Sequence, residues 1–97
     1  MRKDFYVYIL ARGRNGTLYV GVTSALVQRV WQYKNNLVPG FTSTHHTHDL
    51  VWWEQHPTAH SAITREKQIK KWNRMWKIRT IELMNPDWRD LFEEISG

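Results

Sequence analysis

The sequence predicts an α+β fold, a three-stranded antiparallel sheet flanked by helices. Three observations carry this expectation. Residues 5–10 and 17–22 are rich in Tyr, Val and Ile and flank Gly13-Arg14-Asn15-Gly16, in which Asn-Gly is a strong hairpin signal. Residues 50–54 form a third apolar run of strand length. Between and after these runs the apolar residues recur at helical spacing.

Taken in order, the first two strands form a hairpin centred on Asn15-Gly16, which sets Tyr8 opposite Thr23 and puts Tyr8 and Tyr19 on one face. Both faces of this hairpin are apolar or aromatic, so the sheet is expected to be widely covered. Thr23 or Ser24 offers an N-cap for a helix over 25–34. Residues 35–49 are polar, carry Pro39-Gly40 and read as a loop with room for a helical turn. After the third strand, Thr58 or Ser61 caps a second helix reaching about residue 72, and a third spans 75–83 and stops before Pro86. A short tail completes one domain over residues 1–97. The element order is strand, strand, helix, strand, helix, helix.

At 41% hydrophobic and 24% charged residues, the 97-residue chain has globular composition. No stretch approaches the roughly 20 apolar residues of a membrane span, and the start of the chain lacks a signal-peptide pattern. With no cysteine, disulfides, thiolate metal sites and thiol catalysis are excluded, which accords with a cytoplasmic setting. A net charge of +5 and a pI of 9.8 favour a polyanionic partner.

Several residues depart from what a bare fold needs. Gly21 lies inside a strand, two residues beyond Tyr19 on the same face, where glycine marks a bulge or a close approach. Leu26, Val30 and Tyr33 form an apolar helical stripe, and Arg29 falls within it. An inward cation needs an anion unless its head reaches water. On the second helix Ala59, Ala62, Ile63, Ile69 and Trp72 mark the inner stripe, and Glu66 falls inside it. A carboxylate there calls for Arg29, a lysine or a hard divalent cation. Lys67, Lys70, Lys71, Arg74, Lys77 and Arg79 form the densest basic stretch, suited to a phosphate backbone. Trp72 and Trp76, interleaved with it, are expected to turn into the core. The histidines at 45, 46, 48, 56 and 60 lack a frame for a zinc site and are expected to face solvent.

Taken together, these residues resemble the GIY-YIG nuclease superfamily. Its paired tripeptides read here as Tyr6-Val7-Tyr8 and Tyr19-Val20-Gly21, separated by ten residues, followed by Arg29 and then Glu66. Runs such as Arg-Glu-Lys-Gln-Ile-Lys-Lys-Trp are similar to the small stand-alone bacterial proteins of the UPF0213 type, kin to the catalytic domain of the excision-repair nuclease UvrC. The resemblance covers nearly the whole chain. It implies phosphodiester hydrolysis with a single divalent metal, Mg2+ or Mn2+, on nucleic acid, with DNA the first expectation, in repair or turnover. By position, Glu66 would ligate the metal and Arg29 would hold the scissile phosphate. Tyr19 would position or deprotonate water with support from Tyr8, and Tyr33 would orient water or phosphate. Thr23 and Asn85 are lesser catalytic candidates, and Lys67, Lys70, Lys71 and Arg74 would bind the strand.

The chain also departs from the pattern. Its first tripeptide begins with Tyr6 instead of glycine, and Val22 stands where some repair-type relatives carry lysine. Two other functions suit the same sequence: a non-catalytic nucleic-acid-binding module, and a protein-interaction domain using exposed tryptophans.

Overall fold

The computed structural model describes residues 3–40 and 47–97. Strands β1 (Phe5–Ala11), β2 (Leu18–Thr23) and β3 (Asp49–His56) form one antiparallel sheet in the order β2-β1-β3. Central β1 is apolar on both faces because both are covered, and Val7 to Ala11 are all buried. Four helices complete the described chain: α1 (Leu26–Lys34), α2 (Ala59–Lys71), α3 (Arg74–Met84) and α4 (Phe92–Ser96).

The alternation of β1 sorts its side chains into two cores. Val7, Ile9 and Ala11 join Val20, with Ala62 and Ile69 of α2 and Ile81 of α3. Tyr8 and Leu10 join Leu26, Val30 and Tyr33 of α1, with Tyr19 and with Phe92 and Ile95 of α4 packed against them. A bulge in β3 adjusts the sharing. Ile9 pairs with Trp52 and Leu10 with Leu50, so Val51 has no partner in the ladder. Val51 and Trp52 therefore both reach the α2–α3 side, while Leu50 and Trp53 reach the α1–α4 side.

The hairpin register differs from the sequence expectation by two residues. Tyr8 lies opposite Gly21 and Leu10 opposite Tyr19. The turn takes up four residues instead of two, with Gly13 at φ 67 and Asn15 at φ 58. It is closed by Arg12 N donating to Thr17 O at 3.0 Å and Gly16 N donating to Gly13 O at 3.3 Å. Gly16 is needed because a Cβ there would sit 1.9 Å from Arg12 O.

The helix starts also refine the expectation. Thr23 is not the cap of α1: its Oγ1 accepts from Ala25 N at 3.0 Å, and Ala25 occupies the cap position without a side-chain bond. Thr58, not Ser61, caps α2, accepting from Ser61 N at 3.1 Å. Asn73 caps α3, accepting from Trp76 N at 3.0 Å. Ile63, expected inside, is exposed at 41%.

The expected tail is structured. Leu91 N donates to Leu50 O at 2.7 Å, Asp90 accepts from Leu50 N at 3.1 Å, and Lys34 ion-pairs with Asp90. These ties dock α4 against α1. Among the described residues, no helix is long and apolar enough to cross a membrane.

Candidate active site

The hairpin and α1 bring three phenols together. Tyr8 comes from β1, Tyr19 from the edge strand β2 and Tyr33 from the last turn of α1. Their ring centroids lie 5.7 to 6.5 Å apart. Tyr33 is the hub: its Oη is 3.2 Å from Tyr8 Oη and donates to Tyr19 Oη at 3.5 Å. Tyr8 can reach under the hairpin because Gly21 opposite it has no side chain.

The environment grades these phenols. Burial pushes the Tyr8 phenol far above its ordinary value, and its bond to Tyr33 and the charges of Tyr33 and Tyr19 act in the same direction. Tyr19 is pushed up to about 12, first by burial, then by its bond to Tyr33 and by the charges of Tyr33 and Glu66. Arg29 acts against both shifts. Tyr8 is therefore a neutral hydrogen-bonding group at any physiological pH, and Tyr19 is the more accessible, more readily ionised member.

Arg29 is only partly buried, on the edge of the α1 stripe. It lines a cleft of about 170 Å³ with Thr23, Ser24, Ala25, Gln28 and Gln32. Among the described residues, no ion pair or hydrogen bond holds its guanidinium. Gln28 and Gln32 were not singled out from the sequence, and Ser24 only as a candidate helix cap. The one available signal was that Gln28 and Gln32 lie one turn apart beside Arg29.

Glu66 approaches from the other layer. Helix α2 packs on the face opposite α1, over β1 and β2. Its Glu66 charge nonetheless adds to the rise of the Tyr19 phenol, after burial and Tyr33. The Glu66 side chain is 15% exposed and pairs with Lys70 one turn on, at 3.4 Å. The cation that Glu66 pairs with is thus Lys70 rather than Arg29. Among the described residues no three His, Cys, Asp or Glu gather as a metal cluster. A single carboxylate suits a hard cation that keeps water and takes substrate oxygens.

Other expected site residues take different positions. Asn85 is buried at the end of α3, and its amide is fully engaged with backbone. Nδ2 donates to Val51 O at 3.2 Å and Arg89 O at 2.8 Å, and Oδ1 accepts from Arg89 N at 3.0 Å. It serves the chain reversal and joins none of the phenols. Lys67 and Lys71 are exposed on α2. Arg74 is also exposed but clasps the hairpin turn, donating to Asn15 O and Gly16 O at 2.5 and 2.6 Å. Trp72 is half-buried as expected, whereas Trp76 is exposed at 54%, contrary to expectation. The inner face of α3 is already filled by Ile78 and Ile81. His56 bonds Ser61 and Glu54, and His48 bonds Asn36. His45 and His46 lie outside the described residues.

Comparison with known proteins agrees with this architecture. The family model of the GIY-YIG catalytic domain matches residues 4–79. A UPF0213 protein of Pediococcus pentosaceus is 31% identical over 78 residues, covering 80% of this chain and 81% of the relative. One from Staphylococcus saprophyticus is 29% identical over 76 residues, covering 78% and 92%. The solution NMR structure of a UPF0213 protein from Bacillus halodurans shares the fold with a TM-score of 0.56 at 23% identity, covering 90% of this chain and 92% of that one. With its hairpin, α1 and α2 all inside the matched region, the chain belongs to the GIY-YIG catalytic domain family, alongside the UPF0213 proteins.

Proposed function

We propose that this protein is a metal-dependent endonuclease that hydrolyses phosphodiester bonds in DNA, in repair or nucleic-acid turnover. The observation that carries the reading is the relay from Tyr8 through Tyr33 to Tyr19, whose outer phenol feels the charges of both Arg29 and Glu66.

Each group has a task that its surroundings suit. Arg29, with no anion partner among the described residues, can take a phosphate in its polar cleft and offset charge that develops on it. Tyr19 holds the attacking water by a hydrogen bond. With its phenol at about 12, a base role requires that Arg29 or a bound cation first lower it. Tyr33 fixes the direction of the Tyr19 hydroxyl, and neutral Tyr8 anchors Tyr33. Glu66 would hold Mg2+ or Mn2+, and Lys70 is no obstacle, since an i,i+4 pair of this kind is worth only about 0.3–0.5 kcal/mol. Such a cation supplies Lewis-acid polarisation of a phosphoryl oxygen.

The test is cleavage of single-stranded, double-stranded and branched DNA by purified protein with Mg2+ or Mn2+. Glu66→Ala and Arg29→Ala are expected to abolish cutting while keeping the wild-type circular dichroism spectrum. Salt-sensitive binding without cleavage under any metal would show a binding module on a nuclease fold and overturn the enzymatic reading.

A further inference from the structure

Helix α3 offers a surface that the proposed chemistry does not use. Its inner side is held by Ile78 and Ile81. Its outer side carries Trp76, Arg79 and Leu83, spaced three and four residues apart, with Met75 beside them. Trp76 is 54% exposed, and the Arg79 guanidinium stands over its ring, 5.7 Å from the centroid. This cation–π contact orients the indole without burying it.

Along the chain the charge flanking this indole is of one sign. Lys71, Arg74, Lys77 and Arg79 surround it in sequence, and none of them has a carboxylate partner among the described residues. The only acid on α3 is Glu82, and its carboxylate accepts from Trp88 Nε1 at 2.8 Å. A protein partner docking by apolar contact would have to desolvate these cations. A polyanion with flat faces uses them together with the ring.

We propose that Trp76 and Arg79 form a stacking platform for an unpaired base of a nucleic-acid strand whose phosphates run along Lys71, Lys77 and Arg79. The proposal rests on the nucleic-acid reading above and adds a site to it. In a duplex the base faces are occupied by neighbouring pairs, so the platform acts on single-stranded segments. It is also held in place relative to the phenols. Arg74, two residues before Trp76, ties the start of α3 to the turn of the hairpin that carries Tyr8 and Tyr19. A base held on Trp76 would thereby set the position of its strand against that hairpin.

The experiment is fluorescence anisotropy with a labelled single-stranded DNA and with its duplex, in chelator so that no cutting occurs. Trp76→Ala is expected to weaken single-strand binding about 5- to 150-fold, the range for loss of one base–aromatic stack, and to leave duplex binding within about twofold. Trp76→Phe retains most of the single-strand affinity. Arg79→Gln lowers the slope of log affinity against log salt by about 0.7 on single strands. Thermal melting of each variant checks the fold. Wild-type single-strand affinity in a folded Trp76→Ala protein overturns the platform but leaves the nuclease reading standing. Equal losses on single strand and duplex overturn it too, as does a wild-type dimer that Trp76→Ala separates into monomers. Wild-type protein that binds neither strand at low salt overturns the nucleic-acid reading itself, and the platform with it.

Discussion

The Tyr8 phenol occupies the space that a side chain at position 21 would fill: a Cβ on Gly21 would lie 2.4 Å from Tyr8 Oη and 2.5 Å from Cζ. The two residues face each other across the hairpin. Tyr8 is buried in one cluster with Leu26, Val30 and Tyr33, so a shift of its ring disturbs packed neighbours.

Gly21→Ala should therefore strain the core and displace the Tyr8 hydroxyl from Tyr33. Overpacking of this kind costs about 1–3 kcal/mol. The melting temperature should fall by several degrees per kcal/mol, roughly 4–8 °C for a chain of this size. Nuclease activity should fall further than stability alone explains, measured at a temperature where the variant is fully folded.

Arg29→Lys keeps the charge but loses the planar fork that grips two phosphate oxygens. With no hydrogen bond or ion pair holding the Arg29 guanidinium among the described residues, the fold should tolerate the change. Turnover should drop about 10- to 100-fold with an unchanged melting temperature. Equal turnover by the lysine variant would mean that only charge is needed.

The raised phenols make stability depend on alkaline pH in a definite direction. Tyr8 and Tyr19 both ionise less readily in the folded chain than in the unfolded one, where the value is near 10. Their contribution is full below about pH 10 and falls above it; the Tyr19 share is lost as pH rises through about 12, and the Tyr8 share goes on falling beyond. Urea unfolding from pH 8 upward should show this loss, and Tyr8→Phe should flatten it. Tyr33→Phe should bring the Tyr19 phenol down, read from phenolate absorbance, because Tyr33 contributes to its rise.

Asn85→Ala separates a structural amide from a catalytic one. It would strand the carbonyls of Val51 and Arg89 and the N–H of Arg89. About 3 kcal/mol of stability should be lost in denaturant titration. Activity per folded molecule should stay near wild type; a selective loss of turnover in stable protein would give Asn85 a direct role.

What could be read from the sequence follows the range of the forces involved. The strands, α1 and its Leu26–Val30–Tyr33 stripe are written in local alternation and periodicity, and the structure keeps them. The hairpin register was not legible, because left-handed Gly13 and Asn15 lengthen the turn beyond the Asn-Gly pair. Helix α4 has only five residues, and its position depends on Asp90 and Leu91 meeting Leu50 far back in the chain. The phenol cluster was legible in composition, since three tyrosines lay on predicted inner faces, but the central place of Tyr33 was not. Exposure of Trp76 could not be read from α3, where apolar residues occupy both sides.

The placement of β1 between two partners has a mechanical consequence. Tyr8 sits on a strand bonded along both edges and covered above and below, whose amides should exchange with solvent more slowly than those of the edge strands. Tyr19 sits on a strand with one neighbour. The relay thus has a stiff end and a compliant end. Opening of the sheet edge should therefore move Tyr19, the phenol on which the Glu66 charge acts, before it moves Tyr8.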